Sequence, residues 1–285
     1  MGRTAALVVA ALAVGCGSDL VSPRAPGGEA TEPSRPGATV ERGVAVRSLH
    51  AVLGVPVDAD ESDDVLLDET DFLVSYNPRL RGPNWVEWRL TMADLGHVRR
   101  RNAFHADEGL PAGLYRVTTH DYSHSTYDRG HLCPFGDRNG SPEAALQTFL
   151  MTNMEPQLHE LNAGPWEKLE EYERTEVHRR DSVLYIVAGG VFDRDPPRIG
   201  HDVAVPRASF KIIVLLAAGE GAAQVNDATR TLAVEMPNEE GVGRRRWQDF
   251  VTSIDRVEAD TGYDFLNAVP AGVQAVLEAR APDEL

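Results

Sequence analysis

Runs of apolar and β-branched residues, punctuated by proline and glycine, predict a series of β-strands along this chain. Phe72–Tyr76 and Trp85–Leu90 are separated by two proline-containing breaks, and this spacing predicts a hairpin. Three further strands are predicted where aliphatic residues dominate, at Val183–Ala188, Phe210–Leu216 and Thr231–Met236.

Helical periodicity is found between and after these strands. Ser141–Leu150 begins with a serine that can cap a helix and has Pro142 in its first turn, and Leu161–His178 is predicted to be a second helix. A third helical stretch begins at Arg245, and its apolar residues recur at helical spacing at Trp247, Phe250, Val251 and Ile254, before the Thr261-Gly262 break. Since strands and helices alternate without a βαβ rhythm, we expect an α+β fold, mixed, with a mainly antiparallel sheet.

The start of the chain has the pattern of an export signal. Arg3 supplies a positive charge, and Ala5–Val14 is an apolar run too short to span a bilayer as a mature helix. The small residues before Cys16 resemble a bacterial lipobox, in which the cysteine becomes the lipidated first residue. An ordinary signal peptide or a buried apolar N-terminus is the alternative, because Ala13 stands where a lipobox usually has leucine.

Three segments are therefore expected: a signal peptide over residues 1–15, a flexible Pro/Gly-rich linker over residues 16–45, and a folded domain over residues 46–285. If Cys16 is lipidated, Cys133 is the one remaining thiol, so the domain is expected to rely on its core and not on a disulfide. We expect an exported protein, either a lipoprotein anchored to the outer membrane or cell surface, or a secreted protein.

The composition is acidic, since 28 Lys and Arg residues stand against 44 Asp and Glu residues, for a net charge of -16. Such a charge disfavours tight binding of a polyanion, which usually requires a basic face. A metal ion and a few arginines can still dominate the field within one cleft. Any binding of nucleic acid is therefore expected to be weak and strongly salt-dependent.

The acidic residues are concentrated in Asp58–Asp71. The spacing of a calcium loop is approximated there by Asp58, Asp60, Ser62 and Glu69. Position six of such a loop requires glycine for its sharp turn, and this chain has Asp63. A solvated acidic loop is the favoured interpretation.

The segment Tyr127–Arg174 combines an imidazole, carboxamides, a carboxylate and guanidiniums, a set that suits hydrolysis of a phosphate ester. His131 titrates near neutrality and can accept a proton from water. Arg129 can place a forked pair of donors on phosphate oxygens, and Gly130 leaves room for a phosphate to approach the backbone.

Mg²⁺ prefers hard oxygen ligands and accepts few protein groups, so the carboxamide oxygen of Asn162 fits a direct ligand. On one continuous helix Glu170 would lie about 12 Å further along the axis, and it is then assigned to hold the ion through water. If Asn162 instead precedes the helix, Glu170 can reach the ion.

These residues carry a family resemblance. The segment is similar to the DNA/RNA non-specific endonucleases, which include mitochondrial endonuclease G, and their three signature pieces occur in order: Asp128-Arg129-Gly130-His131, Asn153-x-x-Pro156-Gln157, and Asn162-x-x-x-Trp166-x-x-Leu169-Glu170. The resemblance covers about residues 70–265 and includes Leu73–Asn77, Trp85-Val86, Val205-Pro206, Phe210-Lys211 and Met236–Asn238.

The resemblance implies a ββα-metal (His-Me finger) core, in which His131 ends a strand and faces the helix of Glu170 across one metal ion. It implies a metal-dependent endonuclease that cuts DNA and RNA to 5′-phosphate products, with Mg²⁺ as cofactor and Mn²⁺ or another divalent cation as a substitute. Family members are often dimers, so the resemblance allows a homodimer, although no surface in the sequence identifies the contact.

Carried over to this sequence, the resemblance implies His131 as general base, Asn162 as the direct Mg²⁺ ligand and Arg129 as a phosphate clamp. Asn153 orients or polarises near the histidine. Glu170 anchors the ion through water, and Arg174 stabilises charge on the phosphate. Cys133 and Phe135 stand where the family more often has small residues, and this departure concerns the width of the pocket and not the chemistry.

Several alternatives stay open. Glu170 and Arg174 could form only a helical ion pair, and Trp166 and Leu169 are expected to pack the helix. Within Arg244–Arg246, Arg245 is a candidate substrate contact, although a solvated helix start explains the cluster equally well. The alternative functions are a catalytically silent nucleic-acid-binding lipoprotein, and a secreted phosphodiesterase or toxin-like effector.

Overall fold

A computed structural model describes residues 38–39, 41–42, 47–180 and 182–280, so the expected export signal, Cys16 and most of the linker lie outside the described residues. Its strands are β1 (Ala38–Thr39), β2 (Val65–Asp68), β3 (Leu73–Asn77), β4 (Gly82–Leu90), β5 (Tyr127–His131), β6 (Met154–Leu158), β7 (Ser182–Val191), β8 (Arg198–Ile199), β9 (Val203–Ala204), β10 (Ala208–Ala217), β11 (Arg230–Pro237) and β12 (Val251–Thr252). Eight of them form one antiparallel sheet in the order β1-β2-β3-β4-β7-β10-β11-β12, whereas β5 pairs with β6 and β8 with β9.

The α-helices are α1 (Pro142–Gln147), α2 (His159–Leu161), α3 (Glu167–Arg180), α4 (Ile254–Thr261) and α5 (Ala271–Glu278). The predicted α+β class, the antiparallel sheet and the β3–β4 hairpin are confirmed. The cap of α1 is also as predicted, because the Ser141 hydroxyl accepts a hydrogen bond from the backbone N–H of Ala144 at 3.1 Å. No helix among the described residues is both long and apolar enough to cross a bilayer.

The large sheet is buried on both faces. Along β7, Val183, Tyr185 and Val187 face one hydrophobic core with α4 and α5, while Leu184 and Ile186 face a second core with α3. This two-sided burial explains why the central strands are continuous apolar runs in the sequence and do not alternate with polar residues.

The C-terminal helix predicted from Arg245 onward is wrong in its first half. A 3-10 turn, Trp247–Phe250, is followed by strand β12, which pairs with Ala233 and Val234 of β11, and α4 begins only after Ser253. The β-branched pair Val251-Thr252 finds backbone partners at the sheet edge there, and Ser253 then caps the helix.

The helix predicted at Leu161–His178 is not continuous either. A turn of irregular helix, Asn162–Trp166, joins α2 to α3; it contains Pro165, and Gly164 has non-helical backbone angles. Proline lacks the N–H that a continuing helix needs, so the chain changes direction at this point.

The acidic loop is held by arginines. Asp60 caps a short 3-10 helix, and its carboxylate lies 2.8 Å from Arg79, which also contacts Asp63. Arg42 lies 3.2 Å from Asp64. Two arginines thus pair with three carboxylates of the loop.

Candidate active site

β5 delivers His131 to the wall of a cleft. His131 is the last residue of β5, opposite Met154 of β6, and only 6% of it is exposed. Its backbone carbonyl accepts a hydrogen bond from the indole N–H of Trp166 at 3.1 Å, which ties the end of β5 to the start of α3. The cleft has a volume of ≈ 370 Å³ and brings His131 together with Asn162, Glu170 and Arg174.

The imidazole of His131 is kept neutral by its surroundings. Its ring packs 5.5 Å from Phe104 and 5.2 Å from Phe149, and its Nε2 has no hydrogen-bond partner among the described residues. Burial, with the positive charges of Arg100 and Arg129, lowers the pKa of His131 to about 3. The histidine is therefore unprotonated at neutral pH, with a pKa well below the near-neutral value expected from the sequence.

The Asn162 amide has a fixed orientation. Its Nδ2 donates a hydrogen bond to Asp128 Oδ2 at 3.0 Å, and His159 Nδ1 lies 2.8 Å from the same oxygen. An ionised carboxylate can only accept hydrogen bonds, so the amide nitrogen must face Asp128. The amide oxygen is left as the atom that can bind a cation at the cleft.

The break at Gly164 and Pro165 changes the expected relation between Asn162 and Glu170. Asn162 lies before the break and Glu170 lies on α3 after it, yet both line the same cleft. The separation along a continuous helix therefore does not apply, and the alternative in which Asn162 precedes the helix is the one observed.

Glu170 is a desolvated carboxyl group at the cleft wall. Burial raises the pKa of Glu170 to about 8, a shift that Lys211 and Arg174 oppose and that Glu173 and Asp137 reinforce. A cation in the cleft would favour the ionised form of this group.

The main hydrogen-bond partner of Arg174 is Asp137, not Glu170. Its Nη1 donates to Asp137 Oδ1 at 3.1 Å and lies 4.0 Å from Glu170 Oε2. Asp137 is fully buried and also accepts from the indole N–H of Trp88 at 3.0 Å. A helical ion pair with Glu170 is thus the weaker contact of Arg174, and Asp137 holds the guanidinium at the cleft.

Arg129 and Asn153 lie beside the cleft and do not line it. The guanidinium of Arg129 stacks 4.4 Å from the ring centre of Phe104. Asn153 is fully buried; its Oδ1 accepts from the Cys133 N–H at 2.9 Å, and its Nδ2 donates to the carbonyls of Cys133 and Thr148. Asn153 therefore positions the backbone that follows His131.

The expected role of Gly130 in admitting a phosphate is wrong. A Cβ atom at Gly130 would lie 2.3 Å from Gln157 Oε1, so the space above this glycine is filled by the buried Gln157 side chain. Glycine is required here for the close approach of β5 to β6.

The sequence of residues 53–272 matches the family described as DNA/RNA non-specific endonuclease. This chain belongs to that family. Among relatives of the endonuclease, "Nuclease" from Nostoc sp. is 39% identical over 238 residues, which cover 82% of this chain and 86% of the relative. "Endonuclease G, mitochondrial" from Homo sapiens is 31% identical over 217 residues, covering 70% of this chain and 69% of that protein.

A solved structure has the same fold as this endonuclease. It is described as "Crystal structure of the EndoG/EndoGI complex: Mechanism of EndoG inhibition", and it aligns with a TM-score of 0.66 and 25% identity over 83% of this chain and 96% of that one. In this endonuclease the ββα unit consists of β5, β6 and α3.

The candidate substrate contact Arg245 lies outside the cleft lining of the endonuclease. Its guanidinium stacks 4.1 Å from the ring centre of Phe250 and donates to the Asp249 carbonyl at 3.0 Å. Arg246 pairs with Asp249 at 3.0 Å. The sequence cluster is thus partly used in local contacts at the turn before β12.

Four site residues of the endonuclease were missed by sequence reasoning. Arg100 and Glu167 line the cleft, while Asp128 and Asp137 hold Asn162 and Arg174. Asp128 could have been found, because it stands inside the signature. Arg100 could not, because it reaches the cleft from a loop with no regular secondary structure.

Proposed function

We propose that this endonuclease hydrolyses internal phosphodiester bonds of DNA and RNA to 5′-phosphate products, with His131 as general base and one Mg²⁺ ion bound through Asn162. The observation that carries the proposal is a neutral, buried imidazole that shares one cleft with an oriented amide oxygen, a desolvated carboxyl group and a guanidinium.

The donor set suits a hard divalent cation. The amide oxygen of Asn162 offers a direct ligand, and Glu170, which lines the same cleft, offers a carboxylate that can hold the ion directly or through water. Mn²⁺ or another divalent cation would fit the same oxygen ligands. Once bound, the cation would supply Lewis-acid stabilisation of the phosphoryl oxygens and the departing oxygen.

The protein's own side chains accept the proton and orient the phosphate. His131, fixed by the hydrogen bond from Trp166 to its carbonyl, accepts the proton of the attacking water. Arg174, held by Asp137, presents its remaining N–H groups to the phosphate, and Arg129 adds positive charge beside the imidazole. These groups are in place before substrate arrives, so little reorganisation accompanies the reaction.

Cleavage of supercoiled plasmid and of RNA by the purified full chain tests this function. We expect degradation of both polymers with Mg²⁺ and none with EDTA, and loss of activity in His131→Ala but not in His178→Ala, a matched change at an exposed histidine. If the wild type left both polymers intact across several divalent cations at low salt, the catalytically silent alternative would replace the proposed nuclease.

Export, lipidation of Cys16 and homodimerisation are further parts of the proposal, supported by the sequence pattern and the family resemblance. Mass spectrometry of the N-terminal peptide from a membrane fraction tests the lipid, and Cys16→Ser should release the protein from that fraction. Sedimentation of the purified protein tests the dimer.

A further inference from the structure

An apolar groove lies beside the catalytic cleft. It has a volume of ≈ 390 Å³ and is lined by Val98, Ala103, Phe135, Ala145, Leu146 and Phe149. Its walls come from the loop between β4 and β5, the turn after β5, helix α1 and the turn that follows that helix. Leu146 remains 48% exposed, so the groove presents a large aliphatic side chain to solvent.

The groove is continuous with the cleft. Phe135 lines both, and its ring lies 6.0 Å from that of Phe149. The Phe149 ring in turn lies 5.2 Å from the imidazole of His131. A molecule in the groove would therefore be separated from the general base by a single aromatic layer.

Three consecutive arginines border the two spaces. Arg99 and Arg101 line the groove, Arg100 lines the cleft, and all three are exposed. Within the described ranges, none of them forms an ion pair, and Arg100 lies 5.8 Å and 5.7 Å from the ring centres of Phe135 and Phe149. In a chain of net charge -16, this is a local concentration of positive charge of the kind that attracts phosphates.

We propose that the apolar groove binds an unpaired nucleobase of the substrate strand, next to the phosphate in the cleft, and so makes single-stranded nucleic acid the preferred substrate. The inference rests on the proposed function, because a phosphate bound near His131 is what places the base. Aromatic and aliphatic walls accept the flat face of any base, so the groove adds no sequence preference. In a duplex the same base must first break its base pair and unstack from its neighbours, which costs free energy that a single strand does not spend.

The test compares kcat/KM for a quenched fluorescent single strand and for its duplex, using the full chain with Mg²⁺. We expect the wild type to favour the single strand by about tenfold, the usual effect of one base stacked on a protein surface. Leu146→Ser should lower this ratio by about fivefold, because it removes much of one apolar wall. Val276→Ser is the matched control: Val276 is 46% exposed on α5, which packs on the other face of the sheet, and the ratio should stay at the wild-type value.

An abasic residue in the single strand gives a second measurement that needs no variant. Cleavage at the bond beside the abasic residue should fall by about tenfold in the wild type and by less in Leu146→Ser. An unchanged ratio in Leu146→Ser, with no abasic effect and with plasmid still cut, would overturn the inference and leave the proposed function standing. A changed oligomeric state with an unchanged ratio would assign the groove to a second copy of the chain and also overturn it. Failure to cut any substrate would overturn the proposed function itself.

Discussion

At the scale of single residues, the cleft depends on which way the Asn162 amide is turned. Asp128 determines this, because its carboxylate accepts the hydrogen bond from Nδ2 and cannot donate one to Oδ1. His159 contacts the same carboxylate and is itself exposed. In the proposed function, Asp128 therefore acts on the metal ion by orienting Asn162.

Asp128→Asn should weaken Mg²⁺ binding by about 10- to 100-fold, the usual effect of removing the partner of a metal ligand. An amide at this position can donate as well as accept, so Asn162 is free to flip. Calorimetric titration with Mg²⁺, together with the Mg²⁺ dependence of plasmid cleavage, measures the effect. Asp195→Asn makes the same charge change at an exposed residue, and equal Mg²⁺ affinities in the two variants would contradict the role of Asp128.

The buried imidazole of His131 makes the fold sensitive to acid. Its pKa is about 3 in the folded protein against 6.5 for the free side chain, so its neutral form contributes stability above pH 6.5 that is lost as the pH falls towards 3. Between pH 7 and pH 4 the free energy of unfolding should fall by about 3 kcal/mol more in the wild type than in His131→Asn.

Urea unfolding at several pH values measures this difference. His178→Asn, which removes an exposed histidine, is the control and should follow the wild type. Parallel curves for the wild type and His131→Asn would show that burial does not keep this histidine neutral.

Sequence reasoning at this scale found the residues whose types and spacing form a signature, and the structure places His131, Asn162, Glu170 and Arg174 on one cleft. It could not find Asp137, because nothing near that residue in the sequence indicates that Arg174 will reach it from another element. Gln157 fills the space above Gly130 because β5 pairs with β6, and the sequence alone does not show this pairing.

At the scale of elements, the site depends on how β5 and α3 are joined. The indole of Trp166, fully buried in the turn directly before α3, donates its N–H to the carbonyl of His131. The buried Lys211 lies 4.4 Å from the centre of the same indole and 3.0 Å from Glu173 of α3. Packing and polar contacts together thus fix the helix against the strand.

Trp166→Phe should keep most of the packing and remove the hydrogen bond. The buried carbonyl of His131 then loses its donor, which should lower the free energy of unfolding by about 1–3 kcal/mol. We expect kcat to fall several-fold with little change in KM, because the histidine is less firmly placed. Chemical unfolding and steady-state kinetics measure the two effects.

The control for this change is Trp247→Phe. Trp247 is half-buried and stacks 4.9 Å from Tyr172, away from His131. A larger loss of kcat in Trp247→Phe than in Trp166→Phe would show that the bond to His131 does not position the base.

The long central strands were predictable because their apolar runs are strong and uninterrupted. The short β12 was not, since two β-branched residues fit a strand or a helix, and the edge of β11 decides between them. The break before α3 was visible in the sequence as Gly164-Pro165, but the periodicity on both sides of it suggested one helix.

At the scale of the whole molecule, nucleic acid must approach a protein whose net charge is -16. Binding should therefore depend on the few arginines near the cleft and should weaken steeply as salt screens them. The sequence indicated this salt dependence, but the arginine triplet it singled out was Arg244–Arg246, and the structure places Arg99–Arg101 nearer the cleft.

The double substitution Arg99→Gln and Arg101→Gln should reduce the slope of log KM against log salt for single-stranded DNA by about 1.4, which is about 0.7 for each lost phosphate contact. The corresponding pair Arg244→Gln and Arg245→Gln should leave the slope unchanged. Steady-state kinetics over a range of salt concentrations measure both slopes. A smaller slope in the Arg244/Arg245 variant, with no change in the Arg99/Arg101 variant, would place the strand on the Arg245 side of the cleft.

The two cores on opposite faces of the sheet have a consequence for how the sequence can change over time. Val187 and Ile212 face the core with α4 and α5, on the side of the sheet away from the cleft. Ile186 and Trp166 face the other core, which supports His131. Substitutions on the first face should alter the abundance of the protein in the cell while the molecules that fold keep their turnover rate. Substitutions on the second face should alter both quantities, so divergence between relatives is expected to accumulate faster on the face away from the cleft.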